Sequence, residues 1–245
     1  MELNIKNQGH RKHHVISTIF TDENDISFYL LGAYMTDGCI SNIHRKVLFK
    51  ITSKDKIWIE NIRDLIVPNK KIYEHKSCIC YELIVRDINS IRWLMSYGCL
   101  PNKSKTLELL KDIPKLYQRD FIRGVIDGDG SISYCKYIKT KNDKEYHYVK
   151  TTAYICSASI KFIEQLKKLI PSNINCHIIT LSKEKQSCLI KGRKVTATGN
   201  FYRLQFNDSN AKKLFEWAYY KENKINLKRK QILADNLITV LNLEK

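Results

Sequence analysis

FIRGVIDGDGSISY, Phe121–Tyr134, is the stretch on which the fold turns. Its pattern predicts a helix that ends on acids, Asp127 and Asp129, then passes through Gly130 into a strand. The C-terminal end of a helix carries partial negative charge, so carboxylates there are electrostatically misplaced. A second stretch, LLGAYMTDG (Leu30–Gly38), is built the same way. Gly32, Thr36 and Asp37 align with Gly124, Gly128 and Asp129 at a constant offset of 92. Small residues one turn apart let two helix backbones approach closely. Helices packed in this way would end side by side and bring Asp37 and Asp129 together. Adjacent carboxylates repel, and each gains by protonating. A divalent cation would remove that penalty and offset the dipole at both helix ends. Hard oxygen ligands left partly open suit Mg²⁺, which keeps waters and takes phosphate oxygens. A metal-bound water beside a phosphodiester is a nucleophile at neutral pH.

The repeat extends outward from these helices. In the first copy, Asp25 is expected to cap a helix over Ile26–Asp37 that closes at Gly38. A strand follows over Val47–Ser53. Asp55 then opens an amphipathic helix with Ile57, Ile59, Ile62, Leu65 and Ile66 as its apolar set. Lys71–Glu74 and Ile79–Arg86 read as strands, and Ile88–Tyr97 as a helix stopped by Gly98. In the second copy, helices are expected over Tyr117–Asp129, Ile160–Ile170 and Ser209–Tyr220. Strands are expected within Tyr146–Ser157 and over Ile174–Leu181 and Asn200–Asn207. Ser53 aligns with Ser157 at an offset of 104, and Lys103 with Lys228 at 125. The second copy therefore gains residues first in its opening hairpin and then across the basic stretch Lys183–Lys194. The fold class is α+β, with helix–strand–strand–helix–strand–strand–helix given twice. The boundaries are a basic arm over residues 1–24, a first half over 25–104, a linker over 105–116 and a second half over 117–245.

Charge limits the partners. The 245 residues carry 42 Lys and Arg against 25 Asp and Glu, a formal net charge of +17. Such an excess points to a polyanion, either nucleic acid or an anionic membrane surface. No apolar run approaches the ~20 residues of a spanning helix, and the opening MELNIKNQGHRKHH lacks a signal-peptide core. An intracellular protein is expected, in a bacterial or phage-infected cytoplasm or in an organelle, with no membrane partner. Eight Cys lack the paired spacing of a zinc site and read as reduced thiols. His10, His13 and His14 fit a solvated or phosphate-contacting arm. DGDGS is not a calcium loop, because an EF-hand beginning at Asp127 would put its glycine and glutamate at Ile132 and Ile138.

LLGAYMTDG and IRGVIDGDG (Ile122–Gly130) resemble the two copies of the LAGLIDADG motif, and the chain is similar to a single-chain LAGLIDADG homing endonuclease over about residues 25–240. The resemblance implies two pseudo-symmetric αββαββα halves with the motif helices at the centre and antiparallel sheets forming a saddle for the DNA major groove. It implies a monomeric, Mg²⁺-dependent, sequence-specific double-strand endonuclease acting on a pseudo-palindromic site. One phosphodiester would be cut in each strand across the minor groove, leaving 3′ overhangs and initiating intron or intein homing. Mn²⁺ is expected to substitute for Mg²⁺, and Ca²⁺ to bind without supporting cleavage. By the same resemblance the metal acids are Asp37 and Asp129, joined by the backbone carbonyls of Thr36 and Gly128. Lys103 and Lys228 stand at the basic catalytic positions, and Ser53 and Ser157 at the water-positioning ones. A plain strand-end serine accounts for the last two equally well. The chain departs from the motif at its sixth position, which is Asp127 in the second copy but Met35 in the first. This acid is usually structural, and Met35 is expected in the core. A non-cleaving binder, either a regulator on DNA or a maturase on the host intron RNA, is the rival from another class. Tyr73, Tyr81, Tyr134, Tyr137, Tyr146, Tyr148, Phe201 and Tyr202 lie on expected strands, and the sequence does not sort those facing a ligand from those in the core.

Overall fold

The computed structural model describes residues 16, 18–43, 46–77, 79–181, 187–190, 193–196 and 199–243. After a short helix α1 (Thr18–Thr21) come α2 (Asp25–Thr36), β1 (Gly38–Ile43), β2 (Lys46–Ser53), α3 (Lys56–Ile66), β3 (Tyr73–His75), β4 (Cys80–Val85) and α4 (Ile88–Ser96). Two 3-10 turns, Lys103–Lys105 and Lys115–Tyr117, lead to α5 (Gln118–Asp129). The chain continues through β5 (Gly130–Lys141), β6 (Lys144–Ser157), α6 (Ile160–Leu169), β7 (His177–Leu181), β8 (Ser187–Ile190), β9 (Arg193–Thr196), β10 (Phe201–Asn207), α7 (Ser209–Ala218) and α8 (Lys228–Leu243). The first sheet has the order β1-β2-β4-β3 and the second β5-β6-β10-β7, both antiparallel. The architecture is the expected αββαββα plan given twice. A separate β8–β9 hairpin is added within the basic insertion, and α8 follows at the end.

The two motif helices hold the molecule together. On α2, every residue from Ser27 to Met35 is buried, as is every residue from Asp120 to Asp127 on α5. The α2 run is apolar or small on all sides, as befits an interior helix; α5 also buries Asp120, Arg123 and Asp127. Aromatic rings fill the space around α2: Phe28 stacks on Tyr117 at 5.1 Å and meets Tyr97 edge-on at 5.6 Å. Met35 is buried in the core, as expected.

Several local expectations are corrected. Asn24, not Asp25, caps α2: its side chain accepts from the N–H groups of Ile26 and Ser27 at 2.9 and 3.0 Å, and Ser27 Oγ in turn accepts from the Asn24 N–H. Serine thus fills the reciprocal position that Glu or Gln usually takes in a capping box. Gly38 does not close α2 in a left-handed turn. Asp37 closes it in the right-handed region and Gly38 begins β1. Glycine is needed there because a Cβ would fall 2.5 Å from the Tyr34 backbone. On α3, Ile57 is 68% exposed and Trp58 takes its place in the core. Helix α8 was not expected: Lys228, Arg229 and Lys230 open it with positive charge where acids are the usual signal.

The opening hairpins differ in length. β1 pairs with β2 over Gly38–Ile43, whereas β5 pairs with β6 from Gly130 to Lys141, doubling the strand from six to 12 residues. Beyond the buried Ala153 and Thr151, the described side chains of the β5–β6 ribbon are exposed on both faces apart from the half-buried Val149, so it stands out from the body.

Candidate metal centre and nucleic-acid face

The central interface brings two backbones into contact. A Cβ on Gly124 would lie 2.1 Å from the Tyr29 carbonyl oxygen, and one on Gly32 2.3 Å from that of Phe121. One turn further on, a Cβ on Gly128 would lie 1.9 Å from Thr36 Oγ1. Thr36 turns that hydroxyl back to the carbonyls of Gly32 and Ala33, both at 3.0 Å, leaving the helix end free of a projecting side chain. The two C-termini therefore meet. Asp37 closes α2 and Asp129 is the last residue of α5.

The acids feel each other. Burial, and then the neighbouring Asp129 charge, push the Asp37 carboxyl from 3.8 to about 6, against the opposing pull of Lys230, Lys103 and Arg229. Asp129 is shifted upward too, by the protein packed around it, with Lys230 and Lys103 opposing.

Two lysines face this centre. Lys103 is 8% exposed and donates from Nζ to the Gly38 carbonyl, directly after Asp37. Lys230 is 4% exposed, and its Nζ donates to the carbonyls of Ile126, Asp127 and Gly128 at 2.6, 2.7 and 3.0 Å. Three carbonyls of the last turn of α5 thus receive one ammonium; that of Ile126 also accepts the Gly130 N–H, while those of Asp127 and Gly128 are among the four a helix end leaves open. The cations in the first turn of α8 and the acids at the ends of α2 and α5 each oppose their own helix dipole. They are placed to offset each other. Burial, joined by Arg229, pushes the Lys230 ammonium down to about 8, while Asp127, Asp37 and Asp129 hold it up.

Among the expected site residues, the structure brings together Asp37, Asp129, Thr36, Gly128 and Lys103. It does not bring Lys228 to them. Lys228 is exposed at the start of α8, and the buried counterpart of Lys103 is Lys230. The segment NLKRKQIL offers three cations in a row, and only the point at which the helix begins tells them apart. Ser53 and Ser157 behave alike: each Oγ accepts the N–H two residues on, from Asp55 at 3.2 Å and Ser159 at 3.1 Å. Both serines therefore shape the turn from strand into helix. Tyr29, Tyr219 and Arg123 went unnoticed in the sequence, because buried polar partners carry no periodic signal.

The donor set suits a divalent cation. Two carboxylates, each shifted toward its neutral form, converge beside backbone carbonyls, where bound positive charge would favour both anions. Among the described residues no group of three or more His, Cys, Asp or Glu forms a closed cage. Such a site keeps coordination positions for water and an oxygen-rich ligand. The pH dependence of stability follows. Asp37 binds its proton more tightly folded than unfolded, so its favourable contribution is complete below about pH 4 and is lost as pH rises through about 6. At pH 7.5 without divalent cation, Asp37→Asn is expected to melt higher than wild type, by about 1–2 kcal/mol. The gap should close near pH 4, and Mg²⁺ or Ca²⁺ should raise the wild-type melting temperature alone. Differential scanning fluorimetry across pH checks this.

The outer face of the second sheet is basic and aromatic. Cross-strand partners share a face, so the register groups Tyr137 with Tyr148, Lys139 with Tyr146 and Cys135 with Lys150, opposite the face that carries Ile132 and Ala153 into the body. Tyr137 and Tyr148 stack at 5.5 Å, and the Lys139 ammonium lies 5.6 Å from both ring centres. The tyrosines the sequence left unsorted now divide. Tyr134, Tyr137, Tyr146, Tyr148 and Tyr73 are exposed, while Tyr81 and Tyr202 pack against the core. The basic loop around Lys183–Lys194 has side chains that lie outside the described residues. The six described cysteines are free thiols. Among the described residues no helix is long and apolar enough to cross a membrane.

No protein-family model matches the sequence, and no curated protein matches it. Solved structures do. The meganuclease I-SmaMI bound to uncleavable DNA aligns over 90% of this chain and 89% of its own, with a TM-score of 0.56 and 11% identity. The LAGLIDADG meganuclease I-AabMI bound to uncleaved DNA aligns over 90% and 91%, with a TM-score of 0.54 and 15% identity. The chain has the LAGLIDADG homing-endonuclease fold. I-LtrWI, a LAGLIDADG homing endonuclease bound to its target DNA, aligns over 88% and 89%, with a TM-score of 0.50 and 13% identity. At these identities the likeness carries the LAGLIDADG architecture and not the chemistry, which rests on the residues themselves.

Proposed function

We propose that the protein is a sequence-specific double-strand DNA endonuclease, working as a monomer with Mg²⁺ and serving intron or intein homing inside the cell. The observation that carries this reading is the convergence of Asp37 and Asp129 at the junction of α2 and α5, with one buried lysine on either side. Solved structures of the same fold are described as bound to DNA, and the net charge of +17 suits a polyanion.

Asp37 and Asp129, with the carbonyls of Thr36 and Gly128, would hold the divalent cation. When bound, it supplies an activated water and charge stabilisation at the phosphate. Lys103 and Lys230 are placed to stabilise charge developing on a scissile phosphate near each acid. Lys230 takes the role first expected of Lys228. The outer sheet faces, with Lys139, Lys150, Tyr137, Tyr146 and Tyr148, would follow the major groove, which is wide enough (~12 Å) for a two-stranded ribbon. Ser53 and Ser157 border the site by ordering the strand ends.

Cleavage of a randomised duplex library, followed by sequencing of the ends, tests this reading. One recovered site with a staggered break in Mg²⁺ and intact duplex in Ca²⁺ is expected. Specific DNA binding without cleavage in either metal would replace the nuclease with a DNA-binding regulator. No preference for any duplex would turn the search to the host intron RNA.

A further inference from the structure

Lys230 is held by a closed ring of contacts. Arg123 and Asp127 lie one turn apart on α5 and grip the connection from α7 to α8. The Arg123 guanidinium donates to the carbonyls of Ala218 and Ile225, both at 3.0 Å, and to Asp120 at 2.9 Å. Asp127, 1% exposed, accepts from Tyr219 Oη at 2.5 Å, from Tyr29 Oη at 2.8 Å and from the Leu227 N–H at 2.8 Å. Trp58 Nε1 donates to Tyr29 Oη at 2.6 Å, tying the cluster to α3. The Leu227 carbonyl in turn accepts the first N–H groups of α8, from Lys230 at 2.8 Å and Gln231 at 3.1 Å. From that pinned start Lys230 reaches back to the backbone carbonyl of Asp127 itself. One residue therefore anchors both ends of the turn that carries the ammonium.

Among the described residues the first half has no such ring. At the repeat offset of 92, Met35 stands for Asp127, and Phe121, without a hydroxyl, for Tyr29. Tyr97, which closes α4 as Tyr219 closes α7, donates to Glu23 instead, at 2.6 Å. Lys103 is carried by a short 3-10 turn behind Asn102, which is left-handed at φ 55°. A buried, fully hydrogen-bonded carboxylate fixes geometry in a way that a solvent-facing turn does not.

We propose that Asp127 is a positioning residue for Lys230 and governs only one of the two strand cuts. The inference rests on the endonuclease reading for its kinetic part and on geometry alone for the rest.

Two measurements on the full-length protein test it. In the first, lysines are acetylated under limiting reagent and quantified by peptide mass spectrometry, without DNA or metal. Asp127→Asn should raise Lys230 reactivity at least ~10-fold, the scale on which orienting partners act, and leave Lys103 unchanged. Tyr219→Phe, a milder change that keeps the carboxylate, should move Lys230 in the same direction. In the second, each strand of the cleaved duplex is labelled separately. Both variants should slow one strand at least ~10-fold, with DNA affinity kept, so that nicked duplex accumulates. The slowed strand should be the one slowed by Lys230→Met and not the one slowed by Lys103→Met. Unchanged Lys230 reactivity, or equal slowing of both strands, would overturn the proposal. If wild type cuts no duplex, the endonuclease reading falls and the labelling result alone decides the positioning.

Discussion

Gly124→Val is expected to unfold the protein rather than weaken it. Even a Cβ at this position would lie 2.1 Å from the Tyr29 carbonyl oxygen and 3.0 Å from the Ala33 N–H nitrogen. Both obstacles are backbone, so no rotamer change relieves them. The helices must part, and the interface they form is the centre of the core, with Phe28, Leu31, Phe121 and Val125 at 0% exposure. Cores packed to crystal density do not absorb such a shift. A loss above about 4–5 kcal/mol is exceptional for one substitution and a large part of a typical total stability. Circular dichroism with urea titration should show little or no folded baseline. Gly32→Val should behave alike, since its Cβ meets the Phe121 carbonyl. A folded Gly124→Val protein with a wild-type midpoint would contradict the close contact.

The second large effect concerns chemistry. Asp37→Asn and Asp129→Asn are each expected to lower cleavage at least ~10³-fold, or about 4 kcal/mol of barrier, while specific DNA binding survives. Each change keeps the shape of the side chain and removes one anionic ligand at the shared centre. It also relieves a buried charge, since burial raises both carboxyls above their ordinary pKa and the Asp129 charge adds to the shift of Asp37. Stability should therefore hold or rise as activity falls, a combination that misfolding cannot produce. Cleavage by either variant at the wild-type rate would remove that acid from the site.

Much of this arrangement was legible in the sequence because it repeats. Glycines at equal offsets gave the close helix pair, and the acids after them gave the meeting point. The extra length of β5 and β6 followed from residue counts alone. What escaped were features without period. Asn24 caps α2 through a serine rather than the usual Glu, so the sequence signal points one residue too far along, to Asp25. Trp58 replaces Ile57 in the core because Trp58, Ile62 and Ile66 form one stripe four residues apart, which Ile57 misses. Lys228 and Lys230 differ only in where α8 begins, and three cations in the first turn hide that start. The Asp127 cluster joins residues 98, 92 and 100 positions apart, and no local pattern reveals such a pairing.

The unequal hairpins give the molecule a direction. Its two halves meet on an approximate two-fold axis, yet one ribbon is six residues longer than its counterpart and stands clear of the body. At about 3.3 Å per residue, the longer arm reaches roughly 20 Å further from the axis, which is close to six base pairs of duplex at 3.4 Å each. A duplex across this surface would not be seated equally well both ways round. Even a palindromic sequence would acquire a left and a right, and the break would fall off-centre within the stretch the protein covers.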